Sequence, residues 1–148
     1  MPINNAFQDR LNYLVSEKEL TKTQIAKDMG VDFRSFSNAY NYGILPKPLV
    51  LARISDYFNI PIAYLLGQTD DDTFYPADKP SNFYERFELL KIEKNVTHYR
   101  IATDCHFDKS CISKWYSLNQ TPSLEILEIL ADYFGVSLDY LLGRSEDK

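Results

Sequence analysis

Apolar residues recur along this chain three or four positions apart, in short runs broken by Gly, Pro and Asn, and no sustained alternation of apolar and polar residues interrupts them. The pattern is clearest over residues 21–38, TKTQIAKDMGVDFRSFSN. Ile25, Ala26 and Met29 fall on one helical face, and Thr21 ahead of them offers an N-cap hydroxyl. Gly30 supplies the left-handed residue that lets a chain leave a helix. Asp32 caps a second helix, whose Phe36 and Ala39 continue the inward face. A helix, a tight turn and a second helix are therefore predicted, with Phe33, Arg34, Ser37 and Asn38 left near the outer, N-terminal end of the second.

The same pattern occurs twice. A shift of 76 positions brings residues 7–67 onto residues 83–143 without a gap, and about a third of the paired positions are identical, more than chance produces. Phe7 meets Phe83, Arg10 meets Arg86, Leu14 meets Leu90, Thr21 meets Thr97, and Asp32 meets Asp108. Ser37 meets Ser113, Tyr40 meets Tyr116, Pro46 meets Pro122, and the blocks DYF and YLLG repeat. The chain reads as a tandem duplication with domains at 1–67 and 82–148 and a linker at 68–81. Each repeat reads as five short helices. In the first, Phe7, Leu11 and Leu14 mark the opening helix, and Pro46 and Pro48 break the chain before a fourth helix carrying Leu51, Ile54 and Phe58. Pro61 then opens a fifth and Gly67 closes it. In the second repeat the helices fall at 83 to about 94, 97–105, 108–116, 123–134 and 137–142. The predicted class is all-α.

At 148 residues and 45% apolar content, the chain can build packed cores in one or two small domains. No apolar run approaches the roughly 18 residues that span a membrane, and the opening MPINNAFQDR lacks a signal peptide's basic and apolar regions, so a cytoplasmic location without membrane contact is expected. Cys105 and Cys111 are too few for a disulfide scaffold. No nucleophile with a plausible base, phosphate-cradling glycine loop or spaced carboxylate pair is apparent, so neither an enzyme nor a cofactor is expected.

The net charge of −5 argues by itself against a polyanionic partner, but its distribution weakens that objection. Over residues 21–47, Lys22, Lys27, Arg34 and Lys47 outnumber Asp28 and Asp32. Over residues 97–123, Arg100, Lys109 and Lys114 outnumber Asp104 and Asp108, while the acids gather at 70–72 and 125–147.

These residues resemble the helix-turn-helix domains of the Cro and lambda-repressor type, often called XRE-like. The resemblance rests on Thr21, Gln24-Ile25-Ala26, Gly30-Val31 and Phe36-Ser37 in repeat one. In repeat two it rests on Ile101-Ala102, on Ile112-Ser113-Lys114-Trp115 and on PSLEILEILADYFGVSLDYLLG over 122–143. It implies two tandem five-helix lambda-repressor-like domains that bind double-stranded DNA, most often as repressors of phage, plasmid or chromosomal genes. By the same resemblance Phe33, Arg34, Ser37 and Asn38 of repeat one face bases, as do Lys109, Ser110, Ser113 and Lys114 of repeat two. Phosphate contacts are implied at Lys22, Thr23, Asn41, Tyr42 and Lys47, and at His98, Tyr99, Ser117, Asn119 and Gln120. The chemistry is suitable: Arg34 can bond guanine in bidentate fashion, Asn38 can pair with adenine, and Phe33 can touch a thymine methyl. Amides at a helix N-terminus bind phosphate even where the side chain is uncharged.

The repeats depart from that pattern in places. His106 replaces the turn glycine, which it can do at a cost of order 1 kcal/mol. Leu49 and Ala52 stand where repeat two has Glu125 and Glu128, pointing to a buried contact with repeat two or another chain, a homodimer included. Cys105, His106 and Cys111 are metal-ligand types, but the cysteines fill the places of Met29 and Ser35, so packing is favoured over zinc or redox sensing. The Asp70-Asp71-Asp72 run lacks the spaced ligands of a calcium loop and reads as solvated linker. The recurring tyrosines at 40, 57 and 64 and at 116, 133 and 140 read as packing residues, and Trp115, in the place of Ala39, as core. For Phe33 a methyl contact and a protein contact both stay open. Fully extended, a linker over 68–81 reaches on the order of 45 Å, beyond the roughly 34 Å between successive major-groove faces, and Phe74 and Tyr75 suit packing on a domain. The alternative is a protein-binding module on the same scaffold, an antirepressor or a phage inhibitor of a host factor, with a regulatory protein as partner. A weaker one adds a sensor at the cysteines to the DNA role.

Overall fold

Helices begin where the capping side chains stand. Asn4, Thr21, Asp32, Asn82, Thr97, Asp108, Ser123 and Ser137 each accept a hydrogen bond from an amide in the first turn that follows. The computed structural model describes residues 3–148, so the first two residues of the predicted domain 1–67 lie outside the described residues. The order is α1 (Asn5–Ser16), α2 (Lys22–Met29), α3 (Phe33–Tyr42), α4 (Pro48–Phe58), α5 (Ile62–Leu65), α6 (Phe83–Lys94), α7 (His98–Cys105), α8 (Lys109–Ser117), α9 (Leu124–Phe134) and α10 (Leu138–Leu141). Among the described residues the β contacts are two isolated bridges, Ile3 with Ile44 and Pro76 with Ser145, so the chain is all-α as expected. No helix is long and apolar enough to cross a membrane among the described residues. The chain parts into two compact units, the first ending at Phe74 and the second spanning Tyr75–Lys148, with five helices in each.

In the first unit, Phe7, Leu11 and Val15 of α1 are buried with Ile25, Ala26, Met29, Phe36, Ala39, Leu51, Ile54, Ile62 and Leu65. Val15 takes the inner place expected of Leu14, which is half-buried, because α1 turns its four-residue row toward α3 and α5. Phe58, expected inside, is also half-buried, with its ring edge-on to Tyr57 at 5.0 Å. In the second unit Phe36 and Ala39 give way to Ile112 and Trp115, which moves the bulk one turn along the helix at little change in total volume. The indole meets Phe83, Phe87 and Phe107, each at 5.8 Å between ring centroids.

The same cation–aromatic pairs recur inside each unit. Arg10 lies over the Tyr64 ring at 3.9 Å, and Arg86 lies over Tyr140 at 4.2 Å. Lys18 lies over Tyr57 at 5.1 Å, and Lys94 over Tyr133 at 4.7 Å. A cation over an aromatic face contributes about 0.5–1 kcal/mol when exposed and about 2 when desolvated. Arg86 is only 7% exposed, so the second unit holds the stronger of these contacts.

The stretch 68–81, expected as a linker that packs on a domain, is fastened by hydrogen bonds over part of its length. Arg10 donates to the Thr69 carbonyl and to Asp70, both at 3.3 Å. Farther on, Ser145 Oγ donates to the Tyr75 carbonyl at 2.6 Å, Ala77 N–H to Arg144 O at 2.9 Å and Ser81 N–H to Gly143 O at 3.2 Å. Gly143 has φ 79°, and a Cβ there would meet the Ser81 carbonyl atoms at 2.3 Å, so glycine is required both by the backbone and by the close approach.

Candidate nucleic-acid interface

In the first unit the turn between α2 and α3 is built from hydrogen bonds that the sequence foretells. Thr21 Oγ1 accepts from Gln24 N–H at 3.2 Å, and Asp32 accepts from Ser35 N–H at 3.4 Å. Between them Gly30 adopts φ 72°, and Val31 N–H reaches back to the Ala26 carbonyl at 3.0 Å. The second unit repeats this with unlike residues. His106 takes φ 61°, and Phe107 N–H reaches the Ala102 carbonyl at 3.1 Å, so the turn forms without its glycine. Ser110 bonds to the capping Asp108, at 2.9 Å from its amide, and holds that carboxyl below the usual carboxylate range.

The other end of each outer helix is fastened by residues that repeat comparison passes over. Gln8 Nε2 donates to the carbonyls of Tyr40 and Asn41 at 3.2 and 2.9 Å. At the matched place, Tyr84 Oη donates to the carbonyls of Trp115 and Gln120 at 3.0 and 2.6 Å. In the first unit Arg53 of α4 also donates to the Gly30 carbonyl at 2.9 Å. Gln8 and Tyr84 share no side-chain identity, so nothing in the sequence marked them. The unsatisfied carbonyls at a helix C-terminus were the only available signal.

Among the expected contact residues of the first unit, Lys22, Thr23, Phe33, Arg34, Asn41, Tyr42 and Lys47 are exposed, while Ser37 and Asn38 are half-buried. Phe33 and Arg34 are the first two residues of α3 and stand at its open end. Asn41 Nδ2 donates to Ser37 Oγ at 3.0 Å, so those two form one polar unit along the helix. The Lys22 ammonium lies 4.0 Å from the Tyr40 ring centroid.

In the second unit Tyr99, Lys109, Ser110, Ser113, Lys114, Ser117, Asn119 and Gln120 are exposed. Asn119 takes φ 51°, the left-handed place that Gly43 fills in the first unit. His98 differs from the rest. Its ring packs against Phe87 at 5.8 Å and Tyr116 at 5.5 Å, and its Nε2 lies 3.2 Å from Lys91 Nζ and 3.6 Å from Glu88 Oε1. Tyr116 Oη donates to the same Glu88 oxygen at 2.5 Å. Burial pushes the Glu88 carboxyl up, but Tyr116, Lys91 and His98 together bring it below its ordinary range. Burial and the Glu88 hydrogen bond hold the Tyr116 phenol protonated well above its ordinary range. His98 thus occupies the place of Lys22, stacked on the matched tyrosine, as part of a packed polar cluster. Arg100, one residue beyond Tyr99, is paired with Asp104 at 3.0 Å, which Tyr133 Oη also engages at 2.7 Å.

Cys105 and Cys111 are half-buried free thiols, and burial raises the Cys105 thiol above its ordinary value. Among the described residues no group of His, Cys, Asp and Glu is placed to hold a metal ion.

Over 64 residues the chain is 33% identical to the HTH-type transcriptional activator BcrR of Enterococcus faecalis, a match that covers 43% of this chain and 31% of that protein. The chain therefore matches about a third of the length of that curated relative. No family model matches the chain. No solved structure matches it.

Proposed function

We propose that this chain is a sequence-specific DNA-binding regulator of transcription, a tandem pair of Cro/lambda-repressor-type domains that enters the major groove with α3 and α8. The observation that carries this reading is the open end of α3. There Phe33 and Arg34 are exposed on a helix fixed at its start by Asp32 and the Gly30 turn, and at its end by Gln8. Lys22 at the start of α2 and Lys47 in the segment between α3 and α4 are exposed as well, which suits phosphate contacts. Similarity to a helix-turn-helix activator supports a regulator of this kind. Repression by occupancy is the mode we assign, in a cytoplasmic setting, with duplex DNA as partner and no cofactor or catalytic step.

The first unit is the better reader, because at its α2 start Lys22 is exposed, whereas His98 at the matched place is stacked into the Glu88 cluster. The second unit reads a different half-site through Lys109, Ser110, Ser113 and Lys114. The test is selection from random duplexes at fixed salt with the wild type, Arg34→Ala and Lys109→Ala. One enriched motif lost in either variant supports a two-headed reader, and loss in Arg34→Ala alone leaves the second unit as support.

A second reading, docking to a regulatory protein, is favoured by the exposed apolar side chains Phe33, Leu49 and Ile92. Failure of the folded wild type to enrich any duplex at low salt would select it.

A further inference from the structure

The chain that enters the second unit is held there chiefly by its backbone. Ser145 Oγ donates to the Tyr75 carbonyl at 2.6 Å, and Pro76 forms an antiparallel bridge with Ser145. Ala77 N–H reaches Arg144 O at 2.9 Å, and Ser81 N–H reaches Gly143 O at 3.2 Å. Tyr75, Pro76 and residues 78–80 are exposed, so these hydrogen bonds rather than side-chain burial fix the segment. Residues 143–145 are themselves seated on α10, because the N–H groups of Arg144 and Ser145 both meet the Asp139 carbonyl, at 2.8 and 3.3 Å. Ser145 is 3% exposed, and its Oγ also accepts from Asp147 N–H at 3.2 Å, so the hydroxyl is bonded both as donor and as acceptor. Residues 143–145 thus form a latch that closes on the incoming chain.

The chain that leaves the first unit is held as far as Thr69, whose carbonyl accepts from Arg10 at 3.3 Å. Only residues 70–74 lie between Thr69 and Tyr75. Among them Asp71 N–H donates to Thr69 Oγ1 at 3.1 Å and Thr73 N–H to Asp71 Oδ1 at 2.9 Å, local turns that shorten the path. Fully extended, Thr69 to Tyr75 spans about 21 Å at most, whereas Thr69 to Asn82, the cap of α6, would span about 45 Å. Resting on the two-headed DNA reading, we infer that the latch at 143–145 determines the half-site spacing one chain accepts, by limiting the tether between the units, with Ser145 as its positioning residue. Two linked sites are engaged together only where the tether can span them. Opening the latch lengthens the tether by about 24 Å, the rise of about seven base pairs.

The test uses the full chain and begins without DNA. Amide hydrogen exchange followed by NMR should find Ala77 and Ser81 protected in the wild type and exchanging about tenfold faster or more in Ser145→Ala. The Trp115 unfolding transition should be retained, which shows that the unit itself still folds. Equal protection in the two proteins would overturn the latch, whatever the chain binds. Spacing is then read on duplexes that carry the two selected half-sites at graded separations. The wild type should lose about tenfold or more in affinity when the separation exceeds its optimum by about seven base pairs. The double variant Ala77→Pro, Ser145→Ala also removes the N–H given to Arg144, and should cut that loss to about threefold or less. Insertion of about eight Gly and Ser residues after Asp72 lengthens the tether with the latch closed, and should widen the accepted spacing in the same way. Widening by the insertion but not by the double variant would show that the latch is not the determinant, and widening by neither would show that the tether sets no spacing. A wild type that enriches no duplex defeats the DNA reading and the spacing role with it, while the exchange result decides the latch by itself.

Discussion

Salt offers the sharpest measure of which surfaces meet the duplex. Lys22, Arg34 and Lys47 of the first unit are exposed at contact positions, as are Lys109 and Lys114 of the second. Each counterion released from B-DNA contributes about −0.9 to the slope of log K against log salt. A complex that engages all of these cations should therefore show a slope of about −4.5, and one that engages only the first unit about −2.7. Doubling the salt then weakens binding about twentyfold in the first case and about sixfold in the second. Fluorescence anisotropy of a labelled selected duplex, titrated at several salt concentrations, reads the slope directly. Lys47→Ala and Lys114→Ala should each flatten it by about 0.9 where their unit is engaged. Lys22 is better tested as Lys22→Gln, because its ammonium also covers the Tyr40 ring at 4.0 Å. Tight binding with a slope shallower than about −1 would refute the argument, since these cations would then not be displacing counterions from the duplex.

Other outcomes follow from the scaffold. Trp115 is the single tryptophan and is buried in the second unit, so its fluorescence during urea unfolding of the full chain reports that unit. A double-mutant cycle with Arg86→Met and Tyr140→Leu read in this way should give a coupling of about 1–2 kcal/mol, and additive effects would contradict the desolvated contact. The Tyr133 hydrogen bond holds the Asp104 carboxyl low, and burial with Asp104 pushes the Tyr133 phenol up to about 12. Asp104 then contributes stability that is present above its unfolded pKa and lost as pH falls through its lower folded value, whereas that of Tyr133 is present below about 10 and lost as pH rises toward about 12. Tyr133→Phe should flatten both limbs of the urea-midpoint profile, and unchanged limbs would show that this bond is not their origin. Gly30→Ala meets no atom within 4 Å and should cost about 1 kcal/mol of backbone strain. Gly143→Ala, driven against Ser81 and Asn82 backbone at 2.3 to 2.7 Å, should cost several times more in the Trp115 transition.

Local chemistry made most of the scaffold legible. Thr21, Asp32, Thr97 and Asp108 announce helix starts because a short oxygen-bearing side chain satisfies amides that the helix leaves open. His106 was readable as a left-handed turn residue because its aligned neighbours fixed what the turn required. Partnerships across the fold were not readable. Arg10 and Tyr64, like Arg86 and Tyr140, were each visibly shared between the repeats, but no helical period relates residues so far apart in sequence. Gln8 and Tyr84 perform one task with different chemistry, which hides it from any comparison of identities. Phe74 and Tyr75 made packing of the stretch 68–81 legible, but the backbone hydrogen bonds that fasten its later part to the end of the second unit were not, since composition does not reveal them. At the candidate site the exposure of Arg34 and Lys109 follows from helical phase. The stacking of His98 against Phe87 and Tyr116 depends on how three helices meet.

The two repeats agree where they hold themselves together and differ where they face outward. The Arg–Tyr and Lys–Tyr pairs are identical, whereas Phe33, Arg34 and Asn38 become Lys109, Ser110 and Lys114. If those three positions carry sequence preference, it should be transferable without disturbing the cores, since Phe33 and Arg34 are exposed and Asn38 is half-buried. The triple variant Phe33→Lys, Arg34→Ser, Asn38→Lys gives the first unit the outer face of the second. Random-duplex selection with the wild type should return two unlike half-sites. With the triple variant, provided circular dichroism shows native helicity, it should return two copies of the half-site lost in Lys109→Ala. Each good bidentate contact exchanged corresponds to about 1–3 kcal/mol of discrimination, enough to change the enriched base at its position. A folded triple variant that still selects the wild-type motif would place the preference elsewhere, in the α3–α4 loop or in the shape of the DNA. Two identical half-sites under a wild-type monomer would contradict the unlike-reader argument from the other side.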